Sequence, residues 1–235
     1  MFLSLIMKKI VVFSGAGMSA ESGVATFRDS QGLWGKYAIE EVASPQGWSA
    51  NPDRVSEFYN LRRRQIIETD PNEAHKILAK LETYYDIQII TQNIDDLHER
   101  AGSTNVLHLH GNIRYAKSSG PNPEKEYYPI EGWELKKTNL CPEGFRLRPH
   151  VVWFGEQVPL MSKATAIMKT AEICIIIGTS LSVYPAAGLI HYINPKAKTY
   201  LIDPGIKEKE IPHQIQIRKQ GAVEGMQQLY TELIS

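Results

Sequence analysis

Cysteine is scarce in this chain: Cys141 and Cys174 are the two it has in 235 residues. Two thiols cannot make a disulfide framework, and Cys174 stands in an apolar run, where a buried inert thiol is the ordinary role. A reducing, cytoplasmic setting is the expectation. Neither sign of charge is in excess, with 26 Lys and Arg against 26 Asp and Glu. That balance argues against nucleic-acid binding through bulk positive potential. No apolar run approaches the roughly 20 residues of a membrane span. Met1 to Met7 is apolar but short, with no basic residue ahead of it and no small-residue cleavage site behind it. It reads as a frayed leader, with Met7 an alternative start. No internal repeat is visible. Hydrophobic residues, 43% of the total, suffice for a proper core, and the length fits one large domain with or without a smaller insert.

Against that ordinary background one stretch stands out, Ser14 to Asp29. It follows Ile10-Val11-Val12-Phe13, an apolar run that reads as a buried strand. Gly15 and Gly17 allow a sharp turn and a close approach to a ligand, and Ala20 stands where the dinucleotide fingerprint takes a small residue. The helix start beyond it would aim free N–H groups at a pyrophosphate. The same residues also describe a plain strand-to-helix turn. A simple nucleotide-binding unit would run on through a helix to a second strand, with an acidic residue about 20 positions along for the ribose. Here the chain passes instead to Thr26-Phe27-Arg28-Asp29 and Gly32-Leu33-Trp34, which carry no strand pattern.

From Leu33 to Pro71 aromatic and charged residues abound and strand signals are few. Asn51-Pro52-Asp53 reads as a helix start, Asn51 capping and Pro52 in the first turn, with the helix running to about Glu68. A second helix begins at Pro71-Asn72-Glu73, with Ile77, Leu78 and Leu81 as its apolar stripe. Strands are predicted at Asp86–Thr91, Val106–Leu109, Glu172–Ile177, Thr199–Pro204 and Gln214–Ile217, with a helix ending near Thr170 and another over Ala222–Leu233. Between Ile113 and Pro149 apolar periodicity is lost, which marks an insert outside the main sheet. Short buried strands alternating with helices predict an α/β fold with a doubly wound parallel sheet.

Ligands of such a sheet bind beyond the carboxyl ends of its strands. Five strand ends carry polar or glycine-rich groups: Gly15–Ser19, Gln92–Asp95, His110, Gly178–Ser180 and Asp203. Asn93 and Asp95 taken alone suit a turn or a cap; five clusters on one edge suit a nucleotide-sized cleft. His110 at a strand end suits a hydrogen-bonded structural residue, but its side chain is also able to move protons near neutral pH, and Gly111 beside it leaves room for a ligand. His108 shares its sheet face but sits deeper, and spacing does not separate the two.

Taken whole, Gly15-Ala16-Gly17-Met18-Ser19-Ala20-Glu21-Ser22-Gly23-Val24-Ala25-Thr26-Phe27-Arg28 resembles the signature of the sirtuins, NAD-dependent protein lysine deacylases. Thr91-Gln92-Asn93-Ile94-Asp95 and His110-Gly111-Asn112 are similar to that family's catalytic motifs. The resemblance implies a Rossmann-like NAD-binding domain over residues 1–32, 72–112 and 151–235, with a small domain over 33–71 and 113–150. It implies His110 as general base, with Asn93 and Asp95 positioning the nicotinamide ribose and a water. It places NAD, consumed as a co-substrate, on Gly15, Ala16, Gly17, Ser19, Glu21, Ala25, Phe27, Arg28, Trp34, Gln92, Asn93, Ile94, Asp95, Gly178, Thr179, Ser180, Asp203 and Ala222. The partners it implies are acylated lysine side chains of proteins or peptides, paired edge-on with Val152, Trp153, Phe154 and Gly155; neither nucleic acid nor membrane is called for, and a monomer is compatible with it. In the implied reaction, loss of nicotinamide leaves an electrophilic sugar that the acyl oxygen traps. His110 then takes a ribose hydroxyl proton, and nicotinamide, O-acyl-ADP-ribose and free lysine result.

Two places say more than the family name. Tyr59 and Arg62 lie three apart on the first predicted helix and share a face, while Arg63, four from Tyr59, nearly does. Spacing alone suits a solvated basic face. The Tyr-x-x-Arg pattern resembles the sirtuin subset that removes acidic acyl groups, and it selects Arg62, with Ala43 matching a small residue that leaves room for the longer acyl chain. Succinyl- or malonyl-lysine is therefore expected to be preferred over acetyl-lysine. The second place is a departure. Sirtuins commonly carry a four-cysteine zinc site between these motifs, and here Ile113–Pro149 holds only Cys141. Structural zinc takes four Cys or His ligands, so no zinc is expected, and Tyr115, Tyr127, Tyr128, Trp133, Leu135 and Phe145 are the predicted packing residues of the insert. Mono-ADP-ribosyl transfer to a protein is the second enzymatic reading, and a non-catalytic NAD-binding sensor module the third. A dehydrogenase is disfavoured by the continuation of the opening loop.

Overall fold

The computed structural model describes residues 7–26, 35–207, 211 and 214–235. Its frame is a six-stranded parallel sheet of β1 (Lys9–Ser14), β2 (Asp86–Thr91), β3 (Val106–His108), β7 (Ile173–Ile177), β8 (Lys198–Ile202) and β9 (Gln216–Arg218), in the order β3-β2-β1-β7-β8-β9. The central strands are apolar on both faces because both are covered. Alternate residues Ile10, Val12, Ile87, Ile89, Ile175 and Ile177 pack with α5 (Glu73–Leu81) and α8 (Ala222–Ile234). Val11, Phe13, Ile90, Cys174 and Ile176 point the other way, onto α7 (Met161–Met168) and the 3-10 helix Ala186–Tyr192. The period-2 alternation thus feeds two separate cores.

Among the described residues between β1 and α5 stand four helices: α1 (Gly17–Ala20), α2 (Ile39–Val42), α3 (Pro45–Ala50) and α4 (Pro52–Ile67). Asn51 caps α4 by accepting from the Arg54 amide at 3.0 Å, and Asn72 caps α5 through the Ala74 amide at 3.0 Å. The Asn51 cap matches the sequence reading, and the Asn72 cap falls within the helix start read at Pro71-Asn72-Glu73. A short α6 (Leu97–Arg100) follows β2. Val42, Ala43, Val55, Phe58, Tyr59 and Ile66 form a third core with Leu97, Ile113, Val151 and Trp153.

The insert differs from its predicted irregular form. It is built on an antiparallel sheet of β4 (Gly111–Ser118), β5 (Tyr127–Pro129) and β6 (Leu147–Val151), in the order β5-β4-β6. A register shift between Gly111 and Ala116 breaks the alternation that would have advertised it. Its small core is Ala116, Ile130, Leu135, Cys141 and Leu147, with Tyr128 against it. Of the six predicted packing residues, Tyr115, Tyr127, Trp133 and Phe145 are exposed instead. Polar anchors compensate. Fully buried Arg63 donates to the Ile113 carbonyl at 2.6 Å and the Trp133 carbonyl at 2.8 Å, and Lys117 pairs with Glu124 at 2.6 Å. Among the described residues no group of three or more His, Cys, Asp or Glu could hold a metal ion.

Candidate active site

Strand order reverses between β1 and β7, the place where an open parallel sheet leaves a crevice. There the loop after β1 nests on the loop after β7. A Cβ on Gly15 would lie 2.7 Å from Thr179 Cβ, and one on Gly17 would lie 2.8 Å from Gly178 Cα. The glycines are therefore demanded first by this loop-on-loop contact. The amides of Gly17, Met18 and Ser19 are already bonded to Gly178, Gly15 and Ala16 carbonyls. The expected fan of free N–H groups is accordingly reduced at α1, which is one turn long.

A cavity of about 370 Å³ opens at this edge, a size suited to a small-molecule site. Ser19 is its polar hinge. Its hydroxyl donates to Asp95 Oδ2 at 3.0 Å and accepts from Asn93 Nδ2 at 3.0 Å. Asp95 Oδ1 accepts from the Leu97 amide at 3.2 Å, and Gln92 Nε2 donates to Thr179 Oγ1 at 3.1 Å. Burial raises the Asp95 carboxyl above its usual range, opposed by the bonds from Ser19 and Leu97. His110 Nδ1 lies 3.0 Å from the Gln92 carbonyl. A carbonyl can only accept, so Nδ1 carries the proton and Nε2 is left basic. Burial lowers the His110 pKa from its ordinary value, the Gln92 contact opposing.

A second wall comes from the helical segment and the strand after the insert. Tyr59, Arg62 and Ala43 line the cavity with Val152, Trp153, Phe154 and Gly155. Spacing did not choose between Arg62 and Arg63; the tertiary structure turns Arg63 toward the insert and Arg62 into the cavity wall, where its Nη1 donates to the Ala25 carbonyl at 3.3 Å. The solvated basic face holds only for Arg64, paired with Glu68 at 3.1 Å, since Arg62 and Arg63 are buried. Burial lowers the Arg62 pKa, partly offset by Tyr59 and Asp95. Trp153 Nε1 donates to the Tyr59 hydroxyl at 3.1 Å, so that oxygen's own proton is free for another acceptor. Arg148 lies 3.6 Å over the Trp153 ring and bonds Glu156 at 2.8 Å and 2.9 Å. The amides of Val152, Trp153 and Phe154 are held by His110 O, Glu156 Oε2 and Ala43 O. A peptide strand added here meets a segment whose amides are already bonded.

Of the sequence-predicted site residues, Gly15, Ala16, Gly17, Ser19, Ala25, Gln92, Asn93, Ile94, Asp95, His110, Gly178, Thr179, Ser180 and Asp203 line the same cavity as the second wall. Glu21 and Ala222 stand outside that lining. Glu21 Oε1 accepts from the Val223 amide at 3.0 Å, capping the start of α8 beside Ala222. Phe27, Arg28 and Trp34 lie outside the described residues. Sequence reasoning missed Val24, Val158, Val183, Tyr184 and Gly205 as lining residues. The valines and Gly205 carry no chemical signal to find them by, and Tyr184 stands in no motif that the sequence reading singled out.

Comparison with known proteins agrees with this geometry. A sequence model of the Sir2 family matches residues 15–185. A protein of Helicobacter pylori named NAD-dependent protein deacylase is 50% identical over 230 residues, covering 97% of this chain and 96% of that protein. One of the same name from Bacteroides thetaiotaomicron is 48% identical over 232 residues, covering 97% and 99%. A solved complex of a Sir2 homologue with ADP-ribose superposes with a TM-score of 0.86 at 36% identity, covering 97% of this chain and 92% of the other. A Sir2 homologue in complex with NAD gives 0.84 at 36% identity, covering 97% and 90%.

Proposed function

Because this chain belongs to the Sir2 family, an NAD-dependent class of protein deacylases, we propose that it strips acidic acyl groups, succinyl and malonyl, from lysine in preference to acetyl. One observation carries the preference: a guanidinium and a phenol, Arg62 and Tyr59, are buried in the wall of the cavity that His110 also lines. Guanidinium binds carboxylate in a fork, and the Tyr59 hydroxyl adds one donor. Ala43 leaves room for the longer chain.

The cavity fits NAD in its donor set. Ser19, Gln92, Thr179, Ser180 and Asp203 offer hydroxyls, an amide and a carboxylate on one edge, the mixture a ribose and a pyrophosphate take. When bound, NAD supplies an ADP-ribosyl group that receives the acyl chain as nicotinamide leaves. Asn93 and Asp95, tied together through Ser19, orient the nicotinamide ribose and a water. His110 is neutral at pH 7 with its proton on Nδ1, so Nε2 accepts the proton of a ribose hydroxyl. The Val152–Gly155 segment presents the acylated lysine from a peptide. The products are nicotinamide, O-acyl-ADP-ribose and free lysine, with no zinc in the insert.

The deciding assay measures NAD consumption side by side with acetyl-, malonyl- and succinyl-lysine peptides. The acidic peptides should turn over faster. Equal or faster deacetylation would refute the preference. Acyl-independent nicotinamide release with ADP-ribose on protein would favour mono-ADP-ribosyl transfer, and NAD binding without turnover a sensor module.

A further inference from the structure

His108 has no part in the chemistry above, yet its surroundings are built as closely as those of His110. His108 is the last residue of β3, and His110 stands two residues on, in the turn that follows. Each presents Nδ1 to a carbonyl of the turn after β2, and the carbonyls are consecutive: His108 Nδ1 lies 3.0 Å from the Asn93 oxygen, His110 Nδ1 3.0 Å from the Gln92 oxygen. We propose that His108 is a positioning residue, holding the Asn93 backbone in register with His110 through an Nδ1–H bond. This rests on the reading that Asn93 and Asp95 attend the nicotinamide ribose.

Asn93 is gripped at three points. Its amide donates to Thr91 Oγ1 at 3.0 Å, its side chain donates to Ser19 at 3.0 Å, and its carbonyl faces His108. Thr91 is itself the register partner of His108 across the β2–β3 pair. Ser19 in turn reaches Asp95. A shift of the Asn93 carbonyl therefore moves the group that ties both catalytic-turn side chains together.

The far nitrogen of His108 is arranged to keep the proton on Nδ1. Nε2 lies 2.6 Å from Glu99 Oε1, which accepts from the charged ring. It also lies 3.3 Å from Asn112 Nδ2. The Arg114 amide donates to Asn112 Oδ1 at 2.9 Å, which turns that NH₂ toward the ring. When Nε2 loses its proton, Asn112 can donate to it, and Nδ1–H still meets Asn93. Burial opposes the charge, but Glu99 and the Asn93 carbonyl outweigh it and hold the imidazole above its ordinary value; Asp95 adds to them. His98 and His150 are the other titratable groups that feel its charge.

The test compares His108→Asn with His108→Gln, measuring deacylation, nicotinamide exchange and melting temperature. The asparagine amide falls near the place of Nδ1–H, and the glutamine amide near that of Nε2. His108→Gln should lower kcat/KM for NAD about tenfold, the loss expected of one ordinary hydrogen bond at the site, with KM for the acyl peptide unchanged. His108→Asn should recover to within about threefold of wild type by the same scale. Wild-type activity in the Gln variant, or equal impairment in both, overturns the proposal. Failure of both variants to fold overturns it too, by assigning His108 to the scaffold; should the Gln variant alone unfold, the Asn variant decides. Asn93→Ala serves as the control: if it keeps NAD cleavage, the reading of the turn fails, whereas an inactive Asn93→Ala beside a fully active His108→Gln sinks only the role of His108.

Discussion

Replacing Arg62 by methionine keeps most of the side chain's length and removes its guanidinium. Arg62 is 7% exposed, so solvent does little to screen a charge placed against it. A hydrogen bond to a charged group contributes roughly 1.5–3 kcal/mol, which converts to about 10- to 100-fold in kcat/KM. The ratio of succinyl- to acetyl-lysine turnover should fall by that factor, and the loss should lie on the succinyl side. The bond from Arg62 to the Ala25 carbonyl is long, at 3.3 Å, so its loss adds little to the change. The assay follows nicotinamide release at subsaturating concentrations of each peptide, with circular dichroism to verify folding. Desuccinylation that survives the substitution intact would falsify the pocket assignment, and an equal fall with both peptides would mean that Arg62 serves NAD or the fold instead.

His110→Ala should reduce turnover by about 10²- to 10⁴-fold, as for the loss of a general base; a variant near wild type takes His110 out of the mechanism. Burial lowers the His110 pKa, so the basic form is present above that value and lost as pH falls through it. The rate profile should show an acid limb with its midpoint below the ordinary 6.5; a midpoint above 7 contradicts the assignment. Elemental analysis of the purified protein should find no stoichiometric zinc, and a chelator should leave the melting temperature unchanged. One equivalent of tightly held zinc refutes the metal-free insert.

Much of this molecule is legible residue by residue. Strands β1 and β7 announce themselves as apolar runs because each is covered on both faces, and β2 and β8 do so by the isoleucines, tyrosine and leucine of their buried stretches. Asn51 and Asn72 announce helix starts because a short carboxamide satisfies amides the helix leaves open. The sirtuin-like motifs were legible for a related reason, since each is a continuous run at one strand end. The insert was not. Its strands are short and half polar, a register shift interrupts β4, and it is held by Arg63, Lys117 and Arg148, residues that normally mark a surface.

By itself the sequence determined the family, the parallel sheet and the residues gathered at its edge, because local pattern depends only on near neighbours along the chain. Tertiary structure alone decided which arginine faces the cavity. It also decided that Gly15 and Gly17 are needed by the β7 loop, that Glu21 caps α8, and that His108 and His110 meet consecutive carbonyls. Each of those contacts joins segments far apart in sequence or selects between adjacent helix positions. Helical spacing leaves three and four residues nearly equivalent, and only the element packed opposite removes the degeneracy.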